Sequence, residues 1–254
     1  EEQGVRLQSH QQKEAVAELT ADMDNIRTAW DWSIAHREFI RLCQVSVRLM
    51  HLCEVRNWFK EAEITFRKTA ASFQTSIRES ELDAAHQVAL HVMLAHLGFF
   101  QFRLGKGEEA YQILSRSAVF LRTSARPMSP VYALYYLGMD CCILGKLTEA
   151  KDNLQEGRKL AREYGERWFE AMDSEFLGRV AIEQGEYDQA RQYLSEALAL
   201  LRQLGDPSMT AHALSYLGRT MLLLGEYREA EKLLRESLEL SREQGYRFAT
   251  GLAL

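Results

Sequence analysis

"LGEYREAEKLL", Leu224 to Leu234, decides the fold, because "QGEYDQARQYL", Gln184 to Leu194, writes the same pattern 40 residues earlier. Self-similarity at a fixed period of this size is the signature of stacked repeats. Further steps of 40 from Ala230 land on Ala190, Ala150 and Ala110, each closing a Gly-x-x-x-x-Ala turn that begins at Gly225, Gly185, Gly145 or Gly105. Twelve residues before each alanine stands a Leu-Gly pair: Leu217-Gly218, Leu177-Gly178, Leu137-Gly138 and Leu97-Gly98. A weaker copy, "NWFKEA", ends at Ala62.

Composition agrees with a helical repeat protein. The 254 residues are 46% hydrophobic and 26% charged with only 3 prolines, which fits a helical globular chain large enough for a sizeable core. The net charge of -5 comes from interspersed signs, so the clustered Lys and Arg of a nucleic-acid footprint are missing and no nucleic-acid partner is expected. No run of 18 apolar residues and no signal-peptide pattern occurs, and the expected location is cytoplasmic, with no membrane partner. Cys43, Cys53, Cys141 and Cys142 have neither CxxC pairing nor disulfide-dense spacing and read as small buried hydrophobes.

Each 40-residue unit reads as two antiparallel helices separated by a turn such as "GEYREA", whose glycine stops the first helix. The second helix runs on to Gly165, Gly205 or Gly245. Pro127 and Pro207 fall at junctions between units, where a missing N-H is harmless, and Pro130 falls at a helix start.

The Leu-Gly pair, the Gly-x-Tyr-x-x-Ala turn and a small residue seven positions on (Ser117, Gly157, Ala197, Ser237) together resemble the tetratricopeptide repeat. The usual unit has about 34 residues, and these carry about six more at the end of the second helix. The resemblance implies an all-α, right-handed superhelical solenoid, with a helical cap over residues 1–40 and an array over 41–254 of five pairs plus the start of a sixth. Leu97, Leu137, Leu177 and Leu217 should be buried at equivalent sites. "ELTADMDNIRTAWDWSIAHREF", Glu18 to Phe39, resembles the lead-in to the repeats of STAND proteins, the signal transduction ATPases with numerous domains, through Asp24, Asn25, Ile26, Arg27, Ala29 and Trp32. Ile26, Ala29, Trp30 and Ser33 also form a helical stripe that would cap the first repeat.

The chain stops at "FATGLAL", opposite the first helix of another repeat, and reads as a fragment with Phe248 to Leu254 expected to be frayed or held by a neighbouring copy. The STAND resemblance implies an ATP-binding switch and effector domain elsewhere in the parent; no GxxxxGK[ST] loop is present here. Catalysis is not expected either. His86, His91 and His96 recur every five residues and diverge by about 140° on a helix, so they cannot share a face as metal ligands. No nucleophile-base signature stands out, and no metal or cofactor is expected.

Binding is the better reading. Counting from the Leu-Gly glycine, offsets -4, -1, 0 and +3 form the core side of the first helix, and offsets -6, -3, -2, +1, +4 and +5 face a concave groove. The recurring row His96, Tyr136, Phe176 and Tyr216 reads as packing between neighbours. The irregular residues Phe99, Phe102, Arg103, Tyr132, Tyr135 and Met139 form an apolar patch, and Arg179, Glu183 and Arg219 follow as its charged rim, the pattern of a partner surface. The two arginines, 40 apart, could hold a carboxylate or phosphate. Glu175 and Glu183 compete for Arg179, whereas Arg219 has no acid at i+3 or i+4. The expected function is a non-catalytic sensor that binds an inducer, small molecule or protein, in the groove and acts on other domains of the parent. The alternative is an interaction scaffold or peptide-receptor adaptor. That alternative is weakened because Asn25, Asn57 and Asn153 all lie off the groove set.

Overall fold

The computed structural model describes residues 12–76, 83–124 and 128–244. Every regular element among them is an α-helix. Two lead-in helices, α1 (Gln12–Ala21) and α2 (Met23–Ala35), precede five pairs: α3 (Phe39–Val55) with α4 (Phe59–Ser76), α5 (Ala84–Arg103) with α6 (Gly107–Arg122), α7 (Met128–Ile143) with α8 (Leu147–Tyr164), α9 (Arg167–Glu183) with α10 (Tyr187–Leu204), and α11 (Pro207–Leu223) with α12 (Tyr227–Gln244). The fold is the all-α array of tetratricopeptide-like helix pairs that the repeat implies. It falls into two compact units, one running to Asp140 and the other starting at Cys141. Pro127, Gly245 and the segment Phe248 to Leu254 lie outside the described residues.

The turns follow directly from glycine. Gly105, Gly145, Gly185 and Gly225 all have φ between 74° and 79°, a left-handed conformation that costs a residue with a Cβ about 1–2 kcal/mol. The chain then closes by a bond five residues back, Lys106 N-H to Gln101 O at 2.9 Å and Glu186 N-H to Ala181 O at 2.8 Å, which satisfies carbonyls the helix end would orphan. Gly165 and Gly205 end the second helices in the same left-handed geometry.

Close packing within each pair explains the Leu-Gly motif. A Cβ on Gly98 would meet Leu114 Cγ at 2.7 Å; on Gly178 it would meet Leu194 Cγ at 2.5 Å, and on Gly218 Leu234 Cγ at 2.7 Å. The glycine lets a leucine of the second helix rest on the backbone of the first, and the flanking Leu97, Leu137, Leu177 and Leu217 are all buried. Ala110, Ala150, Ala190 and Ala230 at the turn ends are wholly buried too, because nothing larger fits where the second helix starts.

Candidate ligand-binding face

The first helix of each pair places the sequence-predicted residues. In the unit ending at Asp140, α5 and α7 carry the aromatic set, and its members pack on one another. Phe99 lies 4.8 Å from Tyr136 between ring centroids, Tyr135 lies 5.5 Å from Tyr136, and His96 lies 5.9 Å from Tyr136 and 6.3 Å from Tyr132. This corrects the expectation of an open aromatic patch. Phe99 is 1% exposed because it fills the seam between α5 and α7 against Tyr136, and Tyr135 and Met139 are buried too, at 6% and 4%. Tyr132 and Phe102 remain half-buried. Arg103 stands 4.6 Å above the Phe59 ring with a nitrogen 3.8 Å from Glu54 Oε1. The recurring row sits in the interior, as expected of packing residues: His96, Tyr136, Phe176 and Tyr216 are all buried.

Burial sets the electrostatics of that seam. Ser46 Oγ meets His96 Nε2 at 3.0 Å, and burial, with His51 nearby, lowers the His96 imidazole to about 3. Burial alone lowers His51 to about 4. Both are therefore neutral at physiological pH. Burial likewise pushes the Tyr136 hydroxyl well above its usual value. None of these groups is poised for proton transfer near neutrality.

In the unit starting at Cys141, α9 and α11 build a different arrangement. The Arg179 guanidinium lies between two rings, 4.2 Å from Phe176 and 4.7 Å from Tyr216. Such cation-π contacts fix a planar cation while leaving its edge donors available. Its nearest carboxylate oxygen, Glu175 Oε1, is 4.0 Å away, and Arg179 makes no hydrogen bond among the described residues. Glu175 is buried, and its Oε1 also lies 3.1 Å from His212 Nδ1. Burial raises the Glu175 carboxyl, but His212 and Arg179 outweigh it and hold the group below its usual range.

The competition foreseen for Arg179 resolves differently from the i+4 expectation. Glu183 does not neutralise Arg179. It reaches across to α11, where Arg219 Nη2 lies 3.4 Å from its Oε1, with both side chains about half exposed. Arg219 is thus paired by a carboxylate on another helix, which spacing within its own helix could not show. An exposed pair of this kind contributes little and is easily exchanged for a ligand. Phe176 and Tyr216 acquire a role that their regular spacing concealed, since the rings that pack the repeats also clamp the arginine. Among the described residues no group of three or more His, Cys, Asp and Glu could hold a metal ion, and no helix is long and apolar enough to cross a membrane.

Comparison with known proteins agrees with this architecture. The tetratricopeptide repeat family model matches residues 131–203 and 168–243. No curated protein matches the chain by sequence. Among solved structures, BtubC (BKLC) from P. vanneervenii is similar with a TM-score of 0.64 at 16% identity, over 91% of this chain and 91% of that one. The STAND protein with a tetratricopeptide repeat sensor, PH0952 from Pyrococcus horikoshii, has a TM-score of 0.62 at 17% identity over 84% of this chain and 32% of that one. The Rap conjugation gene regulator of the plasmid pLS20, in complex with the Phr* peptide, gives 0.62 at 13% identity over 89% and 55%. At these identities the similarity is one of fold.

Proposed function

We propose that the chain is the non-catalytic sensor array of a STAND-type regulator, and that it binds an inducer on the first-helix face that carries Arg179. The observation behind this reading is the ring-clamped guanidinium, held between Phe176 and Tyr216 with no hydrogen bond of its own among the described residues. An ordered cation that is 14% exposed and only loosely paired, 4.0 Å from Glu175, is prepared for a carboxylate or phosphate, because the conformational cost of fixing the side chain is met before the ligand arrives. Arg219 provides a second cation, which an anionic ligand gains by displacing Glu183. In the unit ending at Asp140, Tyr132, Phe102 and Arg103 form a separate half-buried to exposed surface above the buried Phe99, Tyr135 and Met139, and the Arg179 reading does not depend on it. The lead-in residues Asp24, Asn25, Ile26, Arg27, Ala29 and Trp32 support the STAND assignment, as does the fold likeness to a sensor of that class.

A double variant, Arg179→Ala with Arg219→Ala, tests the reading. Inducer response or partner capture should drop by about two orders of magnitude, since loss of charge-assisted contacts costs roughly 1.5–3 kcal/mol each. Helicity should stay nearly unchanged, while the melting temperature falls modestly, because Arg179 packs on two rings and helps to balance the buried Glu175. An undiminished response in a folded double variant refutes the assignment. The variant Tyr135→Ala, by contrast, should lower the melting temperature, because that ring lies in the seam.

A further inference from the structure

A cleft of about 490 Å³ opens beside the lead-in helix, in the unit ending at Asp140. α2 and α4 form its walls and α3 its floor. Its lining is largely apolar: Met23, Ile26 and Trp30 come from α2 and Leu49 and Cys53 from α3, and Ile64 of α4 stands at the mouth. The volume lies within the range of pockets that enclose a small molecule, about 300–1,000 Å³.

The polar groups around the cleft are already engaged with one another. Trp30 Nε1 donates to Thr69 Oγ1 at 2.9 Å in the interior. Arg27 of α2 pairs with Glu61 of α4 at 2.7 Å, and Lys68 of α4 pairs with Asp31 of α2 at 2.8 Å. These two pairs bridge the walls. A helix of about 10–12 Å diameter could not enter between them without breaking both, whereas a small molecule can. The bridges also balance charge, and Lys60, the remaining cation of the lining, pairs with Glu63 at 3.2 Å, so a charged ligand would lose its hydration against an apolar floor without gaining a free partner. The Trp30 indole, buried and set edge-on to Phe66 at 5.9 Å, offers a rigid aromatic surface.

We propose that this cleft is a binding site for an uncharged, largely apolar small molecule of aromatic or polycyclic shape, placed where the lead-in helix meets the first repeat. Binding there is non-covalent: Cys53 is buried, and burial pushes its thiol up to about 12, so it carries no thiolate at neutral pH. The proposal is independent of the Arg179 face and shares none of its residues.

Titration of the chain with the neutral dye N-phenyl-1-naphthylamine tests it. The expected result is saturable binding at one dye per chain, with enhanced and blue-shifted emission. Ile64→Trp places a larger ring in the mouth of the cleft; because Ile64 is 54% exposed, the substitution adds bulk without entering the core. It should weaken dye binding at least about tenfold, while Arg179→Ala leaves it unchanged. Photolabelling of the wild-type chain with benzophenone gives a readout that needs no variant: adducts should map to Met23 and its neighbours on α2. Non-saturable binding, equal affinity in a folded Ile64→Trp variant, loss of binding in Arg179→Ala, or labels confined to other helices would each overturn the site.

Discussion

Asp173 shows how much one residue can work against its surroundings. It is wholly buried on α9, neither carboxylate oxygen has a hydrogen-bond partner among the described residues, and a Cβ on Gly157 would meet its Oδ2 at 2.9 Å. Burial raises its carboxyl well above the usual range, against a weak opposing pull from Arg158, so the folded state holds it neutral. The unfolded chain ionises it above about pH 3.9. Folding therefore becomes less favourable as pH rises from there, because the folded state is the one that binds the proton. Counting from the Leu-Gly glycine, sister repeats place Met93, Ala133 and Ala213 here. Asp173→Ala should stabilise the protein by about 1–3 kcal/mol at pH 7, with a smaller gain at pH 4, measured by urea titration at both. No gain at pH 7 would mean that the carboxyl is satisfied in solution. The odd acid is visible once the repeats are aligned, but its isolation is not, since that depends on what the neighbouring helix presents.

At the scale of the helix pair, the sequence is most legible where a backbone demand excludes all but one residue type. The positive φ of the turns and the leucine resting on each Leu-Gly glycine both ask for glycine, so both recur in register. Gly178→Ala should destabilise the chain by about 1–3 kcal/mol through overpacking against Leu194, and a Leu194→Ala background should return part of the loss; chemical denaturation of the two single variants and the double variant measures it. Additive losses would show that the two side chains do not compete for space. Where glycine is replaced, the repeat disappears from view. Asn57 and Arg37 adopt φ of 56° and 58°, and Trp58 N-H and Glu38 N-H make the same bond five residues back, to Cys53 O and Ser33 O. The junction between α2 and α3 therefore uses the turn of the repeat without its sequence, and the lead-in helix packs as a helix of the array. The lead-in motif itself divides: Trp30 is buried, whereas Trp32 is 52% exposed and stacks on His36 at 4.0 Å.

Across the whole molecule, the two units should respond to acid for different reasons. In the unit ending at Asp140, His51 and His96 have folded values of about 4 and about 3 against 6.5 when unfolded. Between pH 6.5 and about 4 the unfolded chain binds protons that the folded one refuses, so stability is fully present above 6.5 and is lost as pH falls, at up to about 1.4 kcal/mol per pH unit for each group. His96→Phe adopts the residue found at the equivalent Phe176. It should flatten that slope in denaturant titrations between pH 7 and 4.5. A slope identical to the wild type would assign the acid sensitivity to other groups.

The sequence by itself determined the class of fold, the positions of the turns and the buried leucines. All of these follow from constraints within one or two adjacent helices, where spacing along the chain and spacing in space are the same thing. Only the tertiary structure decided which groove-side residues are accessible and which charges are paired. Phe99 lost its surface to α7 and Tyr135 and Met139 are buried, Glu183 chose Arg219 across α9 and α11 over Arg179 four residues away, and the cleft beside Trp30 arose between walls about 35 residues apart. Each of these outcomes depends on the distance between helices, and helical periodicity carries no information about that distance.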